Sequence, residues 1–179
     1  MKSKIFNGQG VQAIIAGNKT MFREVVKPQL IQPEGFSDAY FDCYNKSNQW
    51  NWWTKDDEQL MNQIVKCPYQ VGQEITPTSN SIRWRLKLFN TELQIKEIRV
   101  ERLADISEED AIAEDSYLDR CECLPRKEDK YPVDAMFKQN FCYIHGQEFK
   151  YAWNATHKKP EEKFEASPWV WVIDFEVVK

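Results

Sequence analysis

Lys19, Thr20 and Arg23 follow Gly17 within six residues and gather two cations and a hydroxyl around one bend. Glycine takes a positive φ without steric cost, so Gly17 suits the end of a short helix. The residues after it then leave in an extended direction. A lysine, a threonine and an arginine placed this way suit an anionic or carbonyl-bearing ligand, with the guanidinium as a two-pronged donor. The same pattern also reads as a plain helix cap followed by a strand that carries solvated Lys19 and Arg23.

Other constellations carry less. The only histidines are His145 and His157, and no nucleophile motif surrounds either, which argues against triad catalysis. Cys121-x-Cys123 with Cys142-x-x-His145 has the residue types of a four-ligand zinc site, in a tract where a metal could replace a missing core. Ordinary thiols are the other reading. No cofactor is expected beyond such a structural zinc. With six glycines and no glycine-rich phosphate loop, nucleoside triphosphate and dinucleotide enzymes are disfavoured. Trp50, Trp52 and Trp53 fall in a poorly patterned stretch, where an indole face can stack on a base or simply pack locally.

The elements that must hold these residues are short. Val11, Ile14 and Ile15 share one helical face, so 11–16 reads as a helix. Residues 22–26 read as a strand ended by Lys27-Pro28. Residues 29–66 read as an irregular hairpin with a helical turn at 56–64. Ile82, Trp84, Leu86 and Leu88 alternate with Arg83, Arg85 and Lys87, which predicts a strand over 81–89. A second alternating run, 92–103, switches face between Ile95 and Ile98 and predicts a bulge near Glu97. Ser107 is a good N-cap for a helix over 105–114, and the acids of its first turn complement the helix dipole. A further helix is expected at 149–155. The run 168–178 is apolar nearly throughout and predicts a central strand, with Trp169 and Trp171 in the core. Several strands with two or three short helices make an α+β domain on a small mixed sheet or barrel.

The chain of 179 residues is 42% hydrophobic and 13% aromatic with seven tryptophans, enough for one cored domain. No apolar run is long enough to span a membrane, no signal segment is evident, and five cysteines sit at irregular spacings. An intracellular protein with free thiols is therefore expected. The net charge of −4 excludes attraction to nucleic acid by bulk charge. The charge is unevenly spread, however. Residues 1–30 carry Lys2, Lys4, Lys19, Arg23 and Lys27 against Glu24 alone. Residues 81–102 carry six bases against three acids, and 105–119 carry seven acids and no base. Meeting in space, the two basic stretches would make a positive patch; apart, they are solvated strand faces.

Four blocks, in order, resemble ASCH-domain proteins, in particular the group encoded in phages and prophages. They are Gly17-x-Lys19-Thr20-x-x-Arg23 with Val25-Val26-Lys27-Pro28-Gln29; Cys67-Pro68-Tyr69 with Gly72-Gln73; residues 100–114; and Ser167-Pro168-Trp169-Val170-Trp171-Val172-Ile173-Asp174-Phe175. Residues 30–66 and 117–148 lie outside the resemblance. It implies one PUA-like small mixed β-barrel flanked by short helices, with those two stretches as irregular insertions, and a groove beside the first helix that binds RNA or a modified nucleoside. On that reading Lys19, Arg23, Arg83, Arg85 and Trp52 are the nucleic-acid-binding residues, and the protein works in the cytoplasm of a bacterial host cell.

Some members of the resembled family are amidohydrolases that act on acylated cytidine, and nuclease activity has been attributed to others. In the amidohydrolases a lysine, a threonine three residues later and a glutamate do the chemistry. Lys19 matches the lysine, but Phe22 stands at the threonine position, and Glu24 stands where the phage group usually has arginine. Ile75-Thr76-Pro77-Thr78 replaces that group's W-V-R-E-T-W segment. A hydrolase reading therefore needs Lys19, Thr20 as a substitute nucleophile, and Glu109 or Glu114 as acid or base. A third reading is a phage protein that binds a host protein through its acidic run and insertions.

Overall fold

In the computed structural model, residues 2–36, 39–43, 48–114 and 149–178 are described. They form two sheets and four short α-helices, an α+β arrangement. The strands are β1 (Lys2–Ile5), β2 (Met21–Val25), β3 (Tyr40–Cys43), β4 (Gln49–Trp53), β5 (Gln59–Lys66), β6 (Glu74–Thr78), β7 (Leu93–Arg102) and β8 (Trp169–Val177). The helices are α1 (Gly8–Ala16), α2 (Ile82–Lys87), α3 (Glu108–Glu114) and α4 (residues 149–156). No described helix is long and apolar enough to cross a membrane.

The larger sheet has the order β1-β6-β7-β8-β2. It is mixed, because β1 runs parallel to β6 while the other neighbours are antiparallel. β8 is an interior strand, pairing with β7 from Leu93↔Val177 to Arg102↔Trp169 and with the edge strand β2 from Met21↔Asp174 to Val25↔Val170. Its apolar run is buried on both faces. Trp171, Ile173 and Phe175 enter one core with Phe6, Val11, Ile14, Phe22, Ile75 and Leu93. Val170 and Val172 enter a second core with Met21, Leu103, Phe149 and Trp153. The register shift in β7 falls between Ile95 and Glu97, where the alternation changes face.

The outer strands β1 and β2 meet through side chains. Lys4 of β1 forms an ion pair with Glu24 of β2, its Nζ sits 4.6 Å from the centre of the Phe22 ring, and Phe6 packs edge-on against Phe22 at 5.9 Å. This seam explains an inverted pattern in β1, where Lys2 and Lys4 turn partly inward and Ile5 is exposed.

Helix α1 begins at Asn7, whose Oδ1 accepts from the Gly10 N–H at 2.7 Å, and ends at Gly17 with φ 75°. It is one turn longer than the apolar spacing indicates. The Asn7 cap was available in the sequence, whereas Gly8 and Gly10 disguised the first turn. Ser107 caps α3 as expected, its Oγ accepting from Asp110 N–H at 3.1 Å.

Two stretches differ from expectation. Residues 81–89 are not a strand but carry α2, because Trp84 and Leu88, one helical turn apart, point inward. Ile82 and Leu86 are each 70% exposed, so the apparent period of two was coincidence. Residues 56–64 contain no helical turn. Instead β3, β4 and β5 form a three-stranded antiparallel sheet that packs on β8, with Trp50 edge-on to Trp171 at 5.2 Å and Trp52 edge-on to Trp169 at 5.7 Å. Asn48, just before β4, ties this sheet to the Cys67-Pro68-Tyr69 turn by donating to the carbonyls of Cys67 and Tyr69.

Candidate functional site

A cleft of about 910 Å³ opens at the seam between β1 and β2. This is within the roughly 300–1,000 Å³ of small-ligand sites. Its walls come from the end of β1 and the start of α1 (Lys4, Phe6, Asn7, Gly8), from β2 (Phe22, Arg23, Glu24), from the turn into α2 (Ser79, Asn80, Ser81, Trp84) and from α4 (Phe149, Trp153, His157). Lys19, Lys27, Glu114 and Glu162 complete its charged lining.

The base of the cleft is an ion-paired cluster. The Arg23 side chain is fully buried and faces three carboxylates: Glu101, Asp110 at 2.6 Å and Glu114. Arg99 extends the cluster, bonding Asp110 and reaching Asp174 at 2.8 Å. Two guanidiniums thus face four carboxylates, so this region holds no surplus positive charge. Burial opposes the Arg23 charge, but Glu114 and Glu101 outweigh it and hold its pKa above the ordinary arginine value. Asp174 moves the other way for a carboxyl: burial raises its pKa, with Glu97 and Asp110 adding to the effect and Arg99 opposing it. Lys19 is 8% exposed, and its Nζ donates to the Glu114 carbonyl at 2.6 Å. The bend after Gly17 therefore directs both cations onto α3.

A second polar group sits at the seam. Glu24 Oε1 accepts from Lys4 and, at 2.8 Å, from the Tyr69 hydroxyl. Burial, and then the Glu24 charge, push the Tyr69 pKa well above its ordinary value, so Tyr69 stays a donor. Lys2 lies 3.9 Å from the Tyr69 ring centre and donates to the Pro68 carbonyl at 2.6 Å.

The aromatic walls are fixed from behind. Trp153 donates its indole N–H to the Glu162 carbonyl at 2.8 Å, and His157 stacks on it at 3.8 Å and 12°. Trp84 lies against Gly8, where an added Cβ would come within 2.4 Å of its Nε1. Cations flank Trp84, with Arg83 at 5.5 Å and Lys87 at 4.9 Å from its ring.

The residues singled out in the sequence separate on this frame. Lys19 and Arg23 line the cleft together. Arg83 and Arg85 are exposed on α2, next to the wall residue Trp84. Trp52 is 1% exposed and belongs to the core, so its face is closed to a ligand; β-sheet packing on Trp169 is the reason. Thr20 and Glu109 are exposed and neither lines the cleft, whereas Glu114 does. Cys121, Cys123, Cys142 and His145 lie outside the described residues, as does the stretch 117–148. Among the described residues no group of three or more His, Cys, Asp or Glu side chains is arranged to hold a metal ion. Sequence reasoning missed the wall residues Lys4, Trp84, Trp153 and His157. Lys4 alone left a trace, as one of the cations concentrated in residues 1–30.

Fold and cleft together define an α+β protein with an aromatic-walled, internally ion-paired pocket at a sheet seam. No family model matches the chain, and no curated protein matches it. Two solved structures are similar to it. Protein EF3133 from Enterococcus faecalis V583, described as DUF984, aligns with a TM-score of 0.41 at 13% identity, over 99% of this chain and 82% of that one. The ASCH domain from Lactobacillus crispatus JV V101 aligns with a TM-score of 0.38 at 14% identity, over 94% of this chain and 70% of that one.

Proposed function

We propose that this chain binds nucleic acid, RNA in the first instance, by taking a base into the seam cleft while the phosphates stay at its rim. The observation that carries this reading is the division of charge. Inside, the cations are matched by carboxylates. Outside, α2 presents Arg83, Arg85 and Lys87 to solvent beside Trp84. A phosphate gains little from a neutralised interior, whereas a neutral, flat, hydrogen-bonding base suits aromatic walls with fixed polar groups. The block resemblance in the sequence points the same way. In this reading Arg23 and Lys19 organise the cleft base by holding Glu114, and Arg83 and Arg85 meet the backbone.

The test is fluorescence anisotropy with labelled RNA and DNA oligomers across a salt series. With three rim cations, log affinity should fall against log salt with a slope of about −2. Replacing Arg83, Arg85 and Lys87 by alanine should flatten that slope, and Trp84→Ala should cost roughly 1–3 kcal/mol of binding. An absence of binding at low salt discards the proposal.

The hydrolase reading keeps one supporting observation: Lys19 and Glu114 both line the cleft, with Lys19 on the Glu114 main-chain carbonyl and the Glu114 carboxylate on Arg23. Thr20 and Glu109 stand outside the cleft, so Glu114 is the acid or base such chemistry would use. A gel of the same mixtures reports it: RNA cleavage that disappears in Glu114→Gln would move the assignment to an enzyme.

A further inference from the structure

We infer that Glu24 is the residue that reads the ligand, as the acceptor for a neutral N–H donor on a heterocyclic base. This rests on the cleft being a base site, and it adds which edge of the base is recognised and by what. The argument begins with how the carboxylate is held. Both contacts to Glu24, from Lys4 and from the Tyr69 hydroxyl, fall on the same oxygen, Oε1. The donors come from opposite sides of the seam, β1 and the turn after β5, and each is itself fixed. Lys4 lies over the Phe22 ring, and Tyr69 is 2% exposed with Phe22 edge-on to it at 5.4 Å. The carboxylate is therefore oriented before any ligand arrives. Glu24 lines the cleft, and its side chain keeps 28% of its surface, so Oε2 remains as acceptor capacity.

An anion would be repelled from this oxygen, and the paired cations inside the cleft offer it no compensation. An amine or ring N–H of a base has the opposite fit, because a charged acceptor strengthens the bond and leaves no buried acceptor unpaired. Selectivity follows from the same asymmetry. A ligand that lacks the donor strands Glu24, and a site built around such a bond discriminates strongly.

The test uses free nucleosides, which carry no phosphate: adenosine, cytidine and uridine against N6,N6-dimethyladenosine, N4,N4-dimethylcytidine and 3-methyluridine, read by calorimetry. The wild-type protein should prefer a parent nucleoside over its methylated analogue by on the order of 10- to 100-fold. The matching 5′-monophosphate should bind no more than a few-fold tighter. Glu24→Gln keeps an acceptor for Tyr69 and Lys4 but turns an amide N–H₂ toward the ligand. It should weaken the parent to the level of its analogue, which separates a lost hydrogen bond from mere methyl bulk. Comparing ligands on the unaltered protein keeps the inference testable if the variant misfolds. Equal binding of parents and analogues, or undiminished discrimination in Glu24→Gln, overturns the role of Glu24. RNA binding that persists with either result leaves the cleft as a nucleic-acid site. Binding of neither RNA nor any nucleoside overturns both.

Discussion

Arg23 shows how a residue of promising chemistry can be spent on structure. From the sequence it is a cation beside a bend, and its availability to a ligand follows naturally. What removes it is invisible locally: Glu101, Asp110 and Glu114 arrive from β7 and α3, far along the chain. Buried ion pairs add little net stability, but removing one partner strands the others in low dielectric. Arg23→Met should therefore cost roughly 3–5 kcal/mol in urea unfolding, with carboxylates left facing one another. Arg23→Lys should recover only part, since a point charge cannot serve three acceptors through a planar fork. If Arg23→Met unfolds within about 1 kcal/mol of wild type, the ion-paired cluster does not hold β2, β7 and α3 together.

At the level of elements, legibility tracked local information. The face switch from Ile95 to Ile98 is a local count of residues, and it located the β7 irregularity. Gly17 ended α1, and Ser107 opened α3, because caps are decided by adjacent backbone groups. Helix α2 failed because a short helix and a strand place the same four apolar residues at compatible spacings, and only tertiary contact chose Trp84 and Leu88 for the interior. The sheet of β3, β4 and β5 failed because its tryptophans find their partners on β8. The expectation of a groove beside α1 came from the family resemblance rather than from residue spacing, and the tryptophan walls of the cleft come from α2 and α4. Two glycines test the distinction between space and conformation. At Gly8 a methyl would strike Trp84, so Gly8→Ala should cost about 1–3 kcal/mol and shift tryptophan emission. At Gly17 there is open space and φ 75°, so Gly17→Ala should cost only about 1 kcal/mol, with the emission unchanged. A Gly8→Ala cost below about 1 kcal/mol with unchanged tryptophan emission would show that α1 does not lean on Trp84 of α2.

For the molecule as a whole, the net charge of −4 conceals an internal exchange of charge rather than an acidic surface alone. Carboxylates drawn inward to Arg23 and Arg99 leave α2 as a basic ridge. Asp174 makes this measurable. Its folded pKa lies above the ordinary 3.8, so the folded state holds the proton more tightly. Its contribution to stability is fully present below pH 3.8 and is lost as pH rises through the raised folded value. Asp174→Asn should thus match wild type in strong acid and at pH 7 melt at the same temperature or up to about 4 °C higher. A melting temperature lowered by more than about 4 °C at pH 7 would mean that attraction to Arg99 outweighs the burial penalty.

The interior position of β8 also has a consequence for synthesis. Met21 pairs with Asp174, and β7 closes on the same strand, so the interior strand that joins β7 to β2 is the last described strand to leave the ribosome. Until then β2 and β7 have exposed edges and Arg23 has an unfinished neighbourhood. The long loop closure required makes folding slow to begin and leaves those edges open to aggregation. A nascent chain stalled before residue 169 should therefore depend on chaperones, while the finished chain does not.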